Sequence, residues 1–218
     1  MPNNFTLLVF DWDGTLMDSA EAIVAALQAA CRDLGVPIPP DERARYIIGL
    51  GLVDALKYAV PALADADYSR LVERYRHHFL LRDAQTALFP DVERALHDLR
   101  AAGFLLAVAT GKSRRGLDRA LQATGLAEVF HASRCADETQ SKPHPAMLNE
   151  LMQQLGTTPA TTLMIGDTTH DLQMASNAGV AALAAAYGAH SREQLLSLSP
   201  LACMDEFAAV KLWIDQHG

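Results

Sequence analysis

Four short, continuous apolar runs restrict what this chain can fold into: Leu7–Phe10, Phe104–Ala109, Thr162–Ile165 and Val180–Ala186. Each reads as a strand buried on both faces of a parallel sheet. Val129–Ser133 is a weaker candidate. Helical patterns lie between them. Val92, Leu96 and Leu99 mark one helix, closed by Gly103, and Leu117 and Leu121 mark another that ends near Gly125. Pro145 opens a third, carrying Leu148, Leu151, Met152 and Leu155 and stopping at Gly156. A fourth runs from Asp171 to Ala178, before Gly179. This alternation predicts an α/β fold, a doubly wound parallel sheet with crossover helices.

Residues 17–86 break the rhythm. Asp18 and Glu21 are spaced as a capping pair for a helix from Ser19 to Leu34, with Ile23, Leu27 and Cys31 on its apolar face and Gly35 at its end. Pro37, Pro39 and Pro40 interrupt the chain, and Tyr68, Leu71, Val72, Tyr75 and Phe79 then fall on one face of a later helix. No strand pattern occurs between the first run, Leu7–Phe10, and Phe104. The expected organisation is a core of residues 1–16 and 87–218 with an all-helical insertion, 17–86. An insertion at the carboxyl end of a strand sits over the ligand crevice of such a sheet, so this one is expected to act as a lid.

Each apolar run but the last leads into polar residues with chemical capacity. Asp11-Trp12-Asp13-Gly14-Thr15 follows the first, placing two carboxylates where a buried strand runs out. Thr110-Gly111-Lys112-Ser113 follows the second: a hydroxyl, a glycine and free amides at a helix start make a seat for phosphate. Ser141-Lys142-Pro143-His144-Pro145 fixes one of only four lysines between turn residues, while His144 reads as a turn or packing residue. Gly166-Asp167-Thr168-Thr169-His170-Asp171 follows the third run and adds two carboxylates. Asp171 also suits a helix cap; Asp167, directly after buried residues, does not.

If these strands are neighbours, their carboxyl ends converge on one crevice. Carboxylates packed at about 4 Å repel by on the order of 4 kcal/mol per pair at an effective dielectric near 20. A hard divalent cation removes that cost, and oxygen ligands without a cysteine or paired histidine select Mg²⁺ over Zn²⁺. The net charge of −8 disfavours nucleic acid and anionic membrane as partners. Three separated cysteines, no signal-peptide pattern and no run long enough to span a bilayer point to a cytoplasmic protein with reduced thiols.

Taken together and in order, these four segments resemble the motifs of the haloacid dehalogenase superfamily of phosphohydrolases. The resemblance covers residues 6 to about 188. The helical insertion is similar to the C1 cap of subfamily I, and Ile48-Gly49-Leu50-Gly51-Leu52 with Ser141-Lys142-Pro143-His144-Pro145 resembles the phosphoglycolate phosphatase branch. Trp12, a less usual filler of the first motif, is expected to pack beside the site. The resemblance implies that Asp11 attacks phosphorus to form an aspartyl-phosphate, and that Asp13 protonates the leaving oxygen and later takes a proton from water. It implies Mg²⁺ held by Asp11, the Asp13 carbonyl and Asp167, with Asp171 helping through water or by orienting Lys142. Thr110, Gly111 and Lys142 would bind the phosphoryl group. Arg45, Gly49 and Gly51 of the insertion are candidates for further substrate contacts, as are Arg43, Arg114 and Arg115, because guanidinium grips a carboxylate with two bonds.

The expected activity is hydrolysis of a small phosphorylated metabolite by a monomer or homodimer. Asp13 argues against a dehalogenase, which needs no leaving-group acid. The helix Ser19–Leu34 holds no lysine for a phosphonate-cleaving Schiff base and no histidine for a sugar-phosphate mutase. A mutase or pyrophosphatase of the same superfamily stays an alternative, as does a regulatory module that binds phosphate without turnover. Neither G-x-G-x-x-G nor G-x-x-x-x-G-K-[ST] occurs, which argues against a nucleotide-binding enzyme.

Overall fold

The computed structural model describes residues 5–83 and 86–218. Residues 1–4 of the expected core segment, and 84 and 85 of the expected insertion, lie outside them. Six strands form one parallel sheet: β1 (Leu7–Phe10), β2 (Leu105–Thr110), β3 (Ala132–Cys135), β4 (Thr162–Gly166), β5 (Ala181–Ala185) and β6 (Ala202–Met204). Their order is β3-β2-β1-β4-β5-β6. The chain winds outward from β1 in one direction, then restarts at β4 and winds in the other. The crevice of such a sheet opens at that reversal, beyond the carboxyl ends of β1 and β4.

Alternation of side chains explains why the strands are apolar throughout. Leu8, Phe10, Leu106, Val108, Leu163 and Ile165 pack on one face against α5 (Val92–Ala101), α6 (Arg114–Thr124) and α10 (Phe207–His217). Leu7, Val9, Ala107, Ala109 and Met164 pack on the other against α7 (Ala146–Leu155), α8 (Thr169–Asn177) and α9 (Arg192–Leu196). Left-handed glycines cap α6 and α7 at Gly125 and Gly156.

Several boundaries differ from the sequence expectation. The third strand lies at Ala132–Cys135 instead of Val129–Ser133, and its mixed sequence, Ala-Ser-Arg-Cys, suits a sheet edge that is half wet. Strand β6 and helices α9 and α10 carry signals too short or too mixed to stand out. Helix α8 begins at Thr169, with Thr168 as its cap and Asp171 in the third position of a reciprocal capping box.

Between β1 and α5 the chain forms α1 (Ala20–Leu34), α2 (Asp41–Tyr46), α3 (Leu52–Ala59) and α4 (Tyr68–Asp83), with no strand among the described residues. Val24, Leu27, Cys31, Ala44, Ile47, Leu56 and Leu71 form a core of their own. Asp18 and Glu21 do not cap α1. Ser19 occupies the cap position and turns its hydroxyl to Asp13 Oδ1 at 2.6 Å, while Glu21 pairs with Arg45.

Candidate active site

The carboxyl ends of β1, β2 and β4 bring the singled-out residues to one buried place. Asp11 continues β1, its amide bonded to the Ile165 carbonyl at 2.9 Å. Thr110 ends β2, fully buried, with its hydroxyl accepting from the Lys112 amide at 3.2 Å. Asp167 follows β4, and Asp171 stands one turn further, in α8. One carboxylate oxygen from each of Asp11, Asp167 and Asp171 falls within a mutual 4.8 Å, and all three side chains are buried.

Lys142 reaches this cluster from the loop before α7. Its Nζ lies 2.7 Å from Asp11 Oδ1 and 2.6 Å from Asp171 Oδ1, in ion pairs whose angles fall outside hydrogen-bond geometry. Burial works to lower the proton affinity of this ammonium, but the two carboxylates outweigh it and the net shift is upward. Asp171 is held from behind by the Thr168 amide at 3.1 Å and hydroxyl at 2.7 Å. The same carboxylate thus completes the capping box of α8 and lies beside Lys142.

Asp167 accepts from Thr15 Oγ1 at 2.7 Å and from the Ala189 amide at 2.7 Å. Burial nevertheless pushes its carboxyl up to about 7, helped by the Asp171 charge and opposed by these two donors. Asp11 is raised well above the usual carboxylate range, first by burial and then by Asp171 and Asp167, against the pull of Lys142. Its Oδ2 has no hydrogen-bond partner among the described residues. The turn after the first two carboxylates depends on Gly14, whose φ is +85° and whose missing side chain leaves room for the Asp167 carboxylate. Trp12 is buried edge-on to Phe130, at a centroid distance of 6.4 Å.

The helical insertion reaches the site through residues 46–51, through Ser19 and through Phe79. A Cβ on Gly111 would come within 2.6 Å of the Gly49 carbonyl oxygen, and the Gly51 amide donates to Ser141 Oγ at 2.7 Å. Gly49 itself faces Thr168, with Asp11 Oδ2 within 4 Å of where its side chain would be. Arg45 is taken up by Glu21, Arg114 by Glu138 and Asp118, and Arg43 and Arg115 are exposed. The structure therefore does not bring the arginines singled out by sequence to the carboxylates.

Two features carry no sequence signature. Lys112 Nζ sits 2.9 Å from Asp13 Oδ1. The other is a clasp between insertion and core. His190 Nδ1 accepts from the Thr169 amide at 3.0 Å, which leaves the proton on Nε2, 3.1 Å from the Tyr46 carbonyl. His170 Nε2 lies 2.7 Å from the same carbonyl, and the Tyr46 ring stacks on His190 at 5.2 Å. Burial, with His170 as the lesser cause, lowers His190 to about 4; burial also lowers His170. The partners of this clasp are 124 and 144 residues apart, so only the fold reveals it.

A family model described as haloacid dehalogenase-like hydrolase matches residues 8–185. The chain belongs to this family. A probable phosphatase, IndB, of Dickeya dadantii is 39% identical over 210 residues, covering 94% of this chain and 91% of that protein. A phosphoglycolate phosphatase of Aliivibrio fischeri is 32% identical over 217 residues, covering 95% of each. Among solved structures, a predicted phosphoglycolate phosphatase of Haemophilus somnus superposes with a TM-score of 0.87 at 27% identity, covering 98% of this chain and 99% of that one. Family, fold and phosphatase relatives together make this protein a hydrolase of the phosphatase type. No helix among the described residues is long and apolar enough to cross a membrane.

Proposed function

We propose that the protein is a Mg²⁺-dependent phosphatase of small, phosphoglycolate-like phosphomonoesters that works through an aspartyl-phosphate. The observation that carries this reading is the Asp11 carboxylate, buried at the end of β1 with one oxygen unpartnered and Lys142 on the other. In the first step a carboxylate oxygen of Asp11 forms a bond to phosphorus as the bond to the leaving oxygen breaks, and Asp13 supplies that oxygen with a proton. In the second, water attacks phosphorus, Asp13 takes its proton, and the bond to Asp11 breaks. Lys142 and Thr110 hold charge on the transferring group.

The donor set fits a hard cation. Three buried carboxylates face one ammonium, all protein ligands are oxygens, and Asp167 and Asp11 are both raised by burial as uncompensated carboxylates would be. Asp11, the Asp13 carbonyl and Asp167 would hold the ion, with Asp171 kept on Lys142. When bound, it offsets the repulsion between an anionic nucleophile and an anionic substrate.

The test is Mg²⁺-dependent phosphate release from phosphoglycolate, sugar phosphates, nucleotides and p-nitrophenyl phosphate. Activity on none of them, with any divalent metal, would favour a phosphate-binding module instead.

A pH effect follows from Asp167. Its folded pKa, about 7, lies above the ordinary 3.8. The metal-free folded state therefore binds more protons than the unfolded state between these values, and the group subtracts stability as pH rises from about 4 to about 7. A cation relieves that penalty only where the carboxylate is ionised. Mg²⁺ is expected to raise the melting temperature more at pH 7.5 than at pH 5; equal shifts, measured by calorimetry against EDTA controls, would contradict the assignment.

Residues 17–86 are proposed to act as a cap whose 46–51 segment closes the site over Gly111. Gly111→Ala would push back the Leu50 and Gly49 carbonyls. A displacement of that size is expected to lower kcat/KM by about 10- to 100-fold. The melting temperature should barely move, because the contact lies between two separately packed cores. Unchanged kinetics would remove the cap contact from the mechanism.

A further inference from the structure

Asp13, in the reading above, handles the proton of the leaving oxygen. Whatever is attached to that oxygen must then lie beside Asp13. The surroundings there are specific. Asp13 Oδ1 accepts from Ser19 Oγ and from Lys112 Nζ, and the Lys112 side chain is only 9% exposed. The same Nζ stands 4.8 Å from the centre of the Phe79 ring in the helical insertion. Tyr75 stacks on Phe79, and its hydroxyl is shifted upward by burial first and by the Asp13 charge second. Ile23, Ile48 and Ala20 pack with Phe79 in one buried cluster. The surroundings of the Lys112 ammonium on the insertion side are thus apolar and aromatic.

The remaining lysines are committed elsewhere: Lys142 to Asp11 and Asp171, Lys57 over the Tyr68 ring, Lys211 to Asp215. The arginines proposed from sequence are paired or exposed, as described. An ammonium has three donors, and Lys112 directs one to Asp13 and its positive charge to an aromatic face. It keeps donors for one more anion. Its backbone is fixed on the core by the Ala136 amide bonding its carbonyl at 3.0 Å, so the charge stays with the phosphoryl site when the insertion moves.

We propose that Lys112 is the specificity-determining cation of this enzyme and reads a carboxylate on the leaving alcohol, one carbon from the scissile oxygen. The proposal rests on the phosphatase reading and on the role of Asp13 in it. Apolar surroundings with one ammonium beside Asp13 favour a short acid over a sugar or nucleoside, whose hydroxyls would need several polar partners.

The experiment compares phosphoglycolate with 2-hydroxyethyl phosphate, which has the same two-carbon leaving group with a hydroxymethyl in place of the carboxylate. The wild type is expected to prefer phosphoglycolate. In Lys112→Met the ratio of the two kcat/KM values should fall by about 30-fold or more, the loss of one charge-assisted pair, and the change should lie mainly in KM for phosphoglycolate. Lys112→Arg should keep part of the preference. Glycolate should inhibit the wild type competitively, a measurement that stands even if a variant fails to fold. Equal losses on both esters, an unchanged ratio, or a wild type that prefers the neutral ester overturns the role of Lys112. Each of these leaves the phosphatase reading intact, provided turnover still needs Asp11. A wild type inactive on both esters and on p-nitrophenyl phosphate overturns that reading itself, and this inference with it.

Discussion

Asp11→Asn is expected to abolish turnover, by about 10⁴-fold or more, as loss of a covalent nucleophile does, while leaving the folded protein as stable as the wild type or more so. The two halves of this expectation have one cause. In the absence of a cation, Asp11, Asp167 and Asp171 bring three buried carboxylates to a single ammonium. Burial and its acidic neighbours raise the proton affinity of Asp11, which marks its ionised form as costly in the folded state. Asparagine has nearly the same shape and removes that cost. A merely structural carboxylate paired with Lys142 would behave in the opposite way, since its removal would leave the ammonium with one partner fewer and lower stability. Thermal unfolding in EDTA and single-turnover phosphate release therefore separate the two roles. The same variant should lose most of the melting-temperature increase produced by Mg²⁺. A variant that turns over within tenfold of wild type, or that melts well below it in EDTA, would show that Asp11 holds the fold together and is not the nucleophile.

What the sequence discloses about this site follows from how local each signal is. Asp11 and Asp167 are legible because each stands directly after a continuous apolar run, and a carboxylate there has no cheap structural excuse. The four strands expected from the strongest apolar runs rest on the same kind of contiguous pattern. Strand β6 has three residues, and β3 carries Arg134 and Ser133 at a half-exposed edge, so neither produces a run that differs from loop. Asp18 and Glu21 mislead for a related reason. Their spacing is right for a cap, but Ser19 stands at the cap position with its hydroxyl on Asp13, and Glu21 pairs with Arg45. The cation beside Asp13 is the clearest case of information the linear chain does not hold. Arginine is the better general match for a carboxylate, which favours Arg43, Arg45, Arg114 or Arg115 from sequence. Arg45 and Arg114 pair with acidic neighbours of their own, and Arg43 and Arg115 are exposed. Lys112 gains its position from a contact spanning 99 residues.

Lys142→Met is the second change with a large expected effect, and its consequences run through folding as well as chemistry. Methionine keeps the length of the side chain and removes the charge, leaving Asp11 and Asp171 buried without a cation; their oxygens on that side have no other partner among the described residues. Breaking a buried pair in this way costs roughly 3–5 kcal/mol, or on the order of 6–20 °C in melting temperature for a chain of this size. The penalty has a defined pH dependence. Asp11, already raised by burial, binds its proton still more tightly in the folded state once Lys142 is gone, so the deficit relative to wild type is largest above neutral pH. It should shrink as the pH falls below neutral and Asp11 takes up that proton. Lys142→Met/Asp171→Asn should recover part of the stability at neutral pH because one orphaned charge is gone. It should recover none of the activity, since the charge proposed to steady the transferring phosphoryl group stays absent, a loss of about 10³-fold. If the single variant melts like the wild type across this pH range, the ion pairs do not form in solution. If the double variant regains turnover, Lys142 serves only to neutralise Asp171, and the phosphoryl group must be stabilised by another residue.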